Sequence, residues 1–570
     1  MPHETIEEVE TDARSSGVLA DHPRLRSALE LVLVALLALT VCAMALSAQA
    51  PTSAERVHAA RHSVDHAAVH AVHGLGTAAV PEQFEAARAY IERVMAERNL
   101  PSVAVAVAQE GEVLWEAAFG WADRERRVGA TPHTPYSLAS ISKPIVATAL
   151  MTLVEDGGLD LDRPANDYLG AARIRAGAGT ASGATVRRVL SHTAGLPLHW
   201  RFFFEDDPHP VASHDEAIAR YAVTVNAPGA RYEYSNIGFG VVGRVVEWVA
   251  GEPLDDVVRR EVYAPLGMTR SSVNLPPELE PYAARRYDGD GERLPDYVTD
   301  HDGASAMWSS AHDLIRFALF HLGHVPEGAR APLADSTRRL MQTPVDPADY
   351  GLGWFIEDDE FGLRSVWHSG SMAGVSTMFR MYPERDLAVV VLLNTLDRTM
   401  RLRIAQELVA AVVPGYEERL REAERERERR QAAAAEEEED EEGGEGPSFD
   451  PPASLRGEWG GVLRTYEREV PMRIVVHDDG DVHVDIDGQL ETVLNRPRWD
   501  DGRLSGAFAG RIPTADALRH DHDVRLEVVL RDDGRLTGRA TAMTNGADGG
   551  SFALSSYVEL SRAVAAGVAR

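Results

Sequence analysis

The sequence has almost no lysine and almost no cysteine. Lys143 is its only lysine, so 57 of its 58 basic residues are arginines. Cys42 is its only cysteine, which excludes an internal disulfide, a CxxC metal site and a cysteine nucleophile in the folded part. The sequence also has no excess of positive charge. The formal net charge of −31 argues against nucleic acid or an anionic membrane surface as the main partner.

The length of 570 residues predicts two or three folded units rather than one. Shifts in composition mark the boundaries. The predicted segments are a cytoplasmic N-terminal tail (1–30), an apolar segment (31–48), a His- and Ala-rich tether (49–80), a first folded domain (81–415), a charged low-complexity linker (416–452) and a second, β-rich domain (453–565).

The apolar segment contains a run without charge, Leu31 to Leu46, preceded by Arg24 and Arg26. Arginines on this side predict that the N-terminus stays in the cytoplasm and that the rest of the chain lies outside it. A transmembrane anchor and a cleaved signal peptide both fit. We therefore expect an extracytoplasmic, cell-envelope protein that is anchored through residues 31–48, or secreted if the segment is cleaved.

The tether carries His58, His62, His66 and His70 at intervals of four residues. On a helix these side chains would share one face and could chelate Zn²⁺ or Cu²⁺. A flexible tether with a chance repeat is the favoured interpretation. No metal and no cofactor are predicted for this chain.

The first folded domain shows strands at both ends and helices between them. The hairpin SVAVAVAQ–VLWEAAFG opens it, and the hairpin VSTMFRMY–LAVVVLLN lies near its end, followed by a helix that stops at Pro414-Gly415. The strands are predicted to pair into one antiparallel sheet flanked by helices, with an all-helical lobe contributed by residues from about 136 to 330. Short alternating strands with DDG turns after residue 453 predict a separate small all-β barrel.

The single lysine lies three residues after Ser140, in SLASISKPIV. Pro144 fits only the first turn of a helix, which places both residues near the helix start and on one face. A serine is a poor nucleophile unless a base takes its proton, and a lysine serves as that base only as the neutral amine. An arginine cannot replace it because the guanidinium stays protonated.

Two further motifs follow in order, Tyr234-Ser235-Asn236 before an apolar helix and His368-Ser369-Gly370 at a strand. Together the three motifs resemble those of the penicillin-recognising serine hydrolases. Residues 81–413 are similar to the β-lactamase-related family, nearest to class C β-lactamases, serine D-alanyl-D-alanine carboxypeptidases, esterases and D-aminopeptidases. The resemblance implies an α/β (α+β) fold with a five-stranded antiparallel sheet. The C-terminal barrel resembles lipocalin-like appendages of some members.

The resemblance also implies a role for each motif residue. Ser140 would be the acylated nucleophile, Lys143 its base and Tyr234 the proton shuttle to the leaving group. The substrate-binding residues would be Asn236, His368, Gly370 and Ser371, with the backbone N–H groups of Ser140 and Ser371 forming the oxyanion hole.

The third motif carries histidine where β-lactamases of this type carry lysine. This departure favours a carboxypeptidase, D-aminopeptidase or esterase acting on a peptide, amide or ester. A β-lactamase proper, or a catalytically idle penicillin-binding scaffold of the cell envelope, is the alternative. A β-lactam is a candidate ligand, and the oligomeric state stays open.

Overall fold

The computed structural model describes residues 80–325, 329–441, 449–544 and 552–563, and side chains only to residue 430 of the helix that ends at 441. These residues all fall in one compact unit, Val72–Arg570. The predicted segments 1–30 and 31–48 and the tether histidines lie outside the described residues. Within the described part, no helix is long and apolar enough to cross a membrane.

The first domain is built on an antiparallel sheet. Its strands, and the short ones around it, are β1 (Ser102–Gln109), β2 (Glu112–Asp123), β3 (Val128–Gly129), β4 (Tyr136–Ser137), β5 (Trp200–Phe204), β6 (Ser272–Val273), β7 (Tyr297–Thr299), β8 (Met307–Ser309), β9 (Phe355–Glu357), β10 (Ser365–Met372), β11 (Val375–Tyr382) and β12 (Leu387–Leu393). The sheet order is β3-β2-β1-β12-β11-β10-β9. The five long strands β2, β1, β12, β11 and β10 confirm the predicted five-stranded sheet, and the short β3 and β9 extend its edges.

The central strand β1 is buried on both faces, as its nearly continuous apolar sequence requires. Successive side chains of β1 point to opposite faces of the sheet, so the strand contributes to two separate hydrophobic cores. Val103, Val105 and Val107 pack on the side of the terminal helices. The small residues Ala104 and Ala106 face the helical lobe, where they let the neighbouring helix approach closely.

Helices cover both faces of this sheet. Their bounds are α1 (Glu85–Arg98), α2 (Ser142–Glu155), α3 (Val186–Leu190), α4 (His214–Tyr221), α5 (Asn236–Ala250), α6 (Leu254–Val258), α7 (Ala264–Leu266), α8 (Asp302–Ser305), α9 (Ala311–Leu322), α10 (Asp335–Met341), α11 (Arg398–Ala410) and α12 (Tyr416–Glu441). Helices α1 and α11 pack on one face, and α9 packs on the other. Helix α2 is buried along eleven successive residues from Ser142 because it runs through the centre of the lobe. The Glu- and Arg-rich part of the predicted linker forms helix α12.

The second domain is an antiparallel meander. Its strands are β13 (Gly457–Arg464), β14 (Glu469–Val476), β15 (Val482–Ile486), β16 (Thr492–Val493), β17 (Asn495–Asp500), β18 (Arg503–Phe508), β19 (Asp523–Leu530), β20 (Arg535–Met543) and β21 (Phe552–Arg562). The order β16-β15-β14-β13-β21-β20-β19-β18-β17 brings β16 and β17, which are consecutive in the chain, to the two ends of the sheet. The sheet is thus a nearly closed barrel, as predicted.

The two domains share a sheet. Strand β5 of the first domain pairs with β21 of the barrel and, on its other side, with β7. The aromatic segment that forms β5, WRFFF, therefore connects the barrel to β7 of the first domain.

Candidate active site

The turn that presents Ser140 is held in a strained shape by its neighbours. A single 3₁₀ turn, Ala139–Ile141, precedes α2, and Ala139 adopts a φ of +50°, which a residue with a side chain rarely does. The hydroxyl of Thr377 on β11 donates to the Leu138 carbonyl at 2.8 Å. Pro144 lies in the first turn of α2, as the sequence predicted.

Lys143 is fully buried and contacts three oxygen atoms. Its Nζ lies 3.1 Å from Ser140 Oγ, 2.8 Å from Asn236 Oδ1 and 3.1 Å from the carbonyl oxygen of Ala304. The Asn236 amide is oriented by its own Nδ2, which donates to the His199 carbonyl at 2.7 Å. Asn236 Oδ1 and the Ala304 oxygen can therefore only accept.

These contacts determine where the amine's lone pair points. Burial lowers the pKa of Lys143 well below its ordinary value. A neutral amine has two N–H donors and one lone pair, and the two obligate acceptors take both donors. The lone pair is left facing Ser140 Oγ, which becomes the donor. This geometry would allow Lys143 to accept the Ser140 proton, as the sequence predicts.

Tyr234 completes the arrangement on the other side of Ser140. Its hydroxyl is hydrogen-bonded to the Ser140 side chain, and Lys143 Nζ lies 4.9 Å from the centre of its ring. Burial raises the pKa of Tyr234, so the phenol is protonated at neutral pH. His192 packs against the Tyr234 ring at 4.4 Å, and its Nδ1 accepts from the Ser235 N–H at 3.0 Å. His192 thus supports the second motif and does not pair with Ser191.

His368 is buried and neutral. Its Nδ1 donates to the Ser369 carbonyl at 2.9 Å, so its Nε2 accepts from the Tyr350 hydroxyl at 3.1 Å. Burial, helped by the neighbouring Arg401 guanidinium, lowers the pKa of His368 to about 3. A neutral, enclosed imidazole cannot attract a substrate carboxylate by charge.

Gly370 is required because β10 passes directly over the nucleophile's turn. A Cβ at this position would lie 2.2 Å from the Leu138 carbonyl oxygen and 2.9 Å from Ala139 Cβ. Any side chain here would push the strand away from Ser140. Ser371, one residue on, lines the same pocket as Ser140.

Two arginines without a carboxylate partner lie at the end of β10. Arg401 donates to the Gly370 carbonyl and to Ser371 Oγ, the latter at 2.6 Å, and Arg398 lines the Ser140 pocket. Neither forms an ion pair with a described residue. Burial and the neighbouring Arg398 lower the pKa of Arg401 to about 10, so Arg401 is charged at neutral pH. Positive charge is thus present beside the pocket, although His368 does not supply it.

The pocket beside Ser140 has a volume of about 130 Å³. Asn236 and Ser371 line it with the nucleophile, and Trp200, Phe202 and Met372 add an apolar wall. A larger cavity of about 570 Å³ adjoins it, sharing Ser305 and Met372. The cleft is therefore long enough for a substrate that extends beyond the scissile bond.

Among the described residues, one group of side chains has ligand atoms close enough together for a metal: His199, Asp300 and His301. All three are buried, and both imidazoles already contact the same Asp300 oxygen, at 2.9 and 2.8 Å. Burial alone would raise the pKa of Asp300, but the two histidines hold it well below its usual range. The group is a hydrogen-bonded triad beneath the His199 carbonyl that orients Asn236.

Of the predicted site residues, Ser140, Asn236 and Ser371 line one pocket. Lys143 and Tyr234 contact the Ser140 side chain, Gly370 packs against the turn before it, and His368 lies behind Tyr234. Their individual roles remain predictions. Sequence reasoning missed the Ala304 carbonyl and Arg401. A backbone oxygen leaves no sequence signal, and one arginine among 57 does not stand out.

A family profile described as Beta-lactamase matches residues 87–413. Penicillin-binding protein 4* of Bacillus subtilis is 28% identical over 322 residues, 52% of this chain and 68% of its own length. Protein flp of Staphylococcus aureus is 23% identical over 313 residues, 53% of this chain and 61% of its own. Penicillin-binding protein 4 of Amycolatopsis lactamdurans is 28% identical over 343 residues, 55% of this chain and 84% of its own. The chain thus spans less than two thirds of the length of one of these relatives.

Two solved structures share the fold. The octameric penicillin-binding protein homologue from Pyrococcus abyssi aligns with a TM-score of 0.50 at 22% identity, over 82% of this chain and 99% of its own. A class C beta-lactamase aligns with a TM-score of 0.50 at 19% identity, over 60% of this chain and 99% of its own. Coverage of 82% exceeds the first domain, so the Pyrococcus likeness extends into the barrel.

Proposed function

The chain belongs to the beta-lactamase family, a family of serine hydrolases, and from this membership we propose that it hydrolyses a peptide, amide or ester through an acyl-enzyme on Ser140. One observation carries the proposal. Asn236 Oδ1 and the Ala304 carbonyl take both N–H groups of a neutral Lys143, which leaves its lone pair facing Ser140 Oγ.

The reaction follows from these positions. Lys143 accepts the hydroxyl proton as Ser140 Oγ bonds to the substrate carbonyl carbon, and the carbonyl π electrons move to the oxygen. The N–H groups of Ser140 and Ser371 stabilise this oxyanion. When it collapses, the bond to the leaving group breaks, and the protonated phenol of Tyr234 relays a proton to the departing amine or alcohol. Water then gives a proton to Lys143 and adds to the acyl carbon. The bond from this carbon to Ser140 Oγ breaks, the carboxylic acid leaves, and Lys143 returns the proton to Ser140 Oγ.

We propose further that the substrate carries a free carboxylate beside the scissile bond. Arg398 and Arg401 support this proposal because they form no ion pair within the described residues and lie at the Ser371 side of the pocket. A guanidinium binds a carboxylate well in a partly enclosed site. A carboxypeptidase-like substrate fits this charge better than a neutral ester does.

A substrate panel tests both proposals. It compares D-Ala-D-Ala peptides, the same peptides as C-terminal amides, D-amino-acid amides, short-chain esters and a chromogenic cephalosporin. We expect Arg398→Met to raise KM for the free-carboxylate peptide by about tenfold, the loss of one charge-assisted contact, and to leave KM for its amide unchanged. Arg93→Met, which removes an exposed arginine on α1, is the matched control. Equal KM changes for acid and amide would contradict the carboxylate proposal, and no turnover on any substrate would favour an idle scaffold.

We also propose that the enzyme acts outside the cytoplasm. The apolar run after Arg24 and Arg26 supports this orientation. A reporter fused after residue 563 should be active only if it is an extracytoplasmic reporter, and activity of a cytoplasmic reporter would contradict the proposal.

A further inference from the structure

Strand β5 lines the catalytic pocket and also pairs with a strand of the barrel. Trp200 and Phe202 line the pocket with Ser140. The backbone of the same strand pairs with β21, where Trp200 lies opposite Ala553 and Arg201 opposite Phe552. Because neighbouring side chains of a strand point to opposite faces, Arg201 extends away from the pocket, towards the barrel.

A buried carboxylate of the barrel holds this strand. Arg201 forms an ion pair with Asp516 at 2.9 Å, and both side chains are at most 3% exposed. Asp516 also accepts from the Tyr221 hydroxyl at 2.5 Å and pairs with Arg220 at 3.1 Å. Burial alone would raise the pKa of Asp516, but these partners lower it, so the group is ionised. A buried ion pair of this kind fixes geometry, since removal of Asp516 would leave the Arg201 charge without compensation.

A second ion pair joins the barrel to the segment that carries Tyr234. Arg539 of β20 forms an ion pair with Glu233, the residue immediately before Tyr234. Glu233 also accepts from Asn226 Nδ2 at 3.1 Å, and Arg531 of the barrel donates to the oxygen of that same Asn226 at 3.2 Å. The barrel thus contacts the supports of both the pocket wall and the proton shuttle.

We propose that the C-terminal barrel is part of the catalytic unit: through the Asp516–Arg201 pair it positions β5 and thereby sets which acyl groups the Ser140 pocket accepts. The inference rests on the proposed function for its effect on selectivity. The part of the proposal that concerns structure, namely that the Asp516–Arg201 ion pair holds β5 in place, does not depend on the proposed function. Arg201 and Asp516 are positioning residues, since neither contacts the reacting atoms.

Arg201→Met tests the proposal with little risk to the fold, because Asp516 keeps Tyr221 and Arg220 as partners. Hydrogen exchange should become about tenfold faster at the amides of residues 200–204 and stay unchanged in α2 and β11, as expected for local opening without global unfolding. The ratio of kcat/KM for a phenylacetyl ester to that for the acetyl ester of the same phenol should change by about tenfold, the scale on which pocket shape discriminates. A merely destabilised enzyme would lose activity on both esters equally.

Arg511→Met is the matched control, since it removes an exposed ion pair of the barrel with Asp521. It should behave as the wild type in both measurements. Asp516→Asn and the double variant complete a cycle, in which the two changes should be non-additive. Arg201→Lys, which retains the charge, should restore part of the exchange protection.

Unchanged exchange at 200–204 in Arg201→Met would overturn the proposal, and so would an unchanged ester ratio in an active enzyme. The exchange measurement needs no substrate. Failure of the proposed function would instead appear as a wild type that hydrolyses neither ester while β5 still responds to Arg201→Met.

Discussion

Lys143→Arg should abolish acylation of Ser140 while the protein stays folded. The guanidinium carries no lone pair for the serine proton and stays protonated at any pH at which the protein is folded. Loss of the general base should lower the acylation rate by about 10²- to 10⁴-fold. The measurement is the rate of labelling by a fluorescent fluorophosphonate, with thermal unfolding followed in parallel.

Three further variants serve as controls for the Lys143→Arg result. Ser140→Ala should give no label, and Ser182→Ala, at an exposed serine of the same lobe, should label at the wild-type rate. Lys143→Met removes the amine without adding bulk and should fail like Lys143→Arg, which separates loss of the base from steric disturbance. Acylation retained by Lys143→Arg would mean that Lys143 is not the base.

Asn236→Asp should move the pH dependence of acylation to higher pH. The acylating form carries neutral Lys143, so the rate rises as pH passes upward through the pKa of this lysine. A carboxylate 2.8 Å from the amine favours the ammonium and raises that pKa, by about 1 to 3 pH units for a close opposite charge. At neutral pH the rate should therefore fall by about tenfold per unit of that shift.

The measurement for Asn236→Asp is the labelling rate between about pH 5 and 10. Asn166→Asp, at an amide in the lobe that contacts only the Ile174 backbone, is a control that should leave the profile in place. A profile that shifts to lower pH, or that falls uniformly without shifting, would show that Asn236 does not act on the charge state of Lys143.

The sequence was sufficient to predict the site where local rules apply. Pro144 indicated the helix start, and helical spacing then put Ser140 beside Lys143. The apolar strands of both hairpins, each pair joined by a short polar turn, predicted their pairing. Gly370 followed from its motif, and the structure adds the reason, its contact with the Leu138 carbonyl.

What could not be predicted depends on contacts between distant segments. The third motif suggested a histidine that faces the substrate, but burial keeps His368 neutral, and it is hydrogen-bonded to Tyr350. The aromatic strand from Trp200 lines the Ser140 pocket and also pairs with β21, more than 300 residues away. No local pattern encodes that pairing.

The account depends on Lys143 being a neutral amine at the pH at which the enzyme works. Because it is the chain's only lysine, protein grown on lysine labelled with ¹⁵N at Nζ gives a single side-chain signal, free of overlap. Followed by NMR against pH, that signal should titrate well below the ordinary lysine value of about 10.4, as burial without a carboxylate partner requires. In Asn236→Asp the same signal should titrate at higher pH than in the wild type. A Lys143 signal that titrates at the ordinary lysine value in the folded wild type would contradict the account.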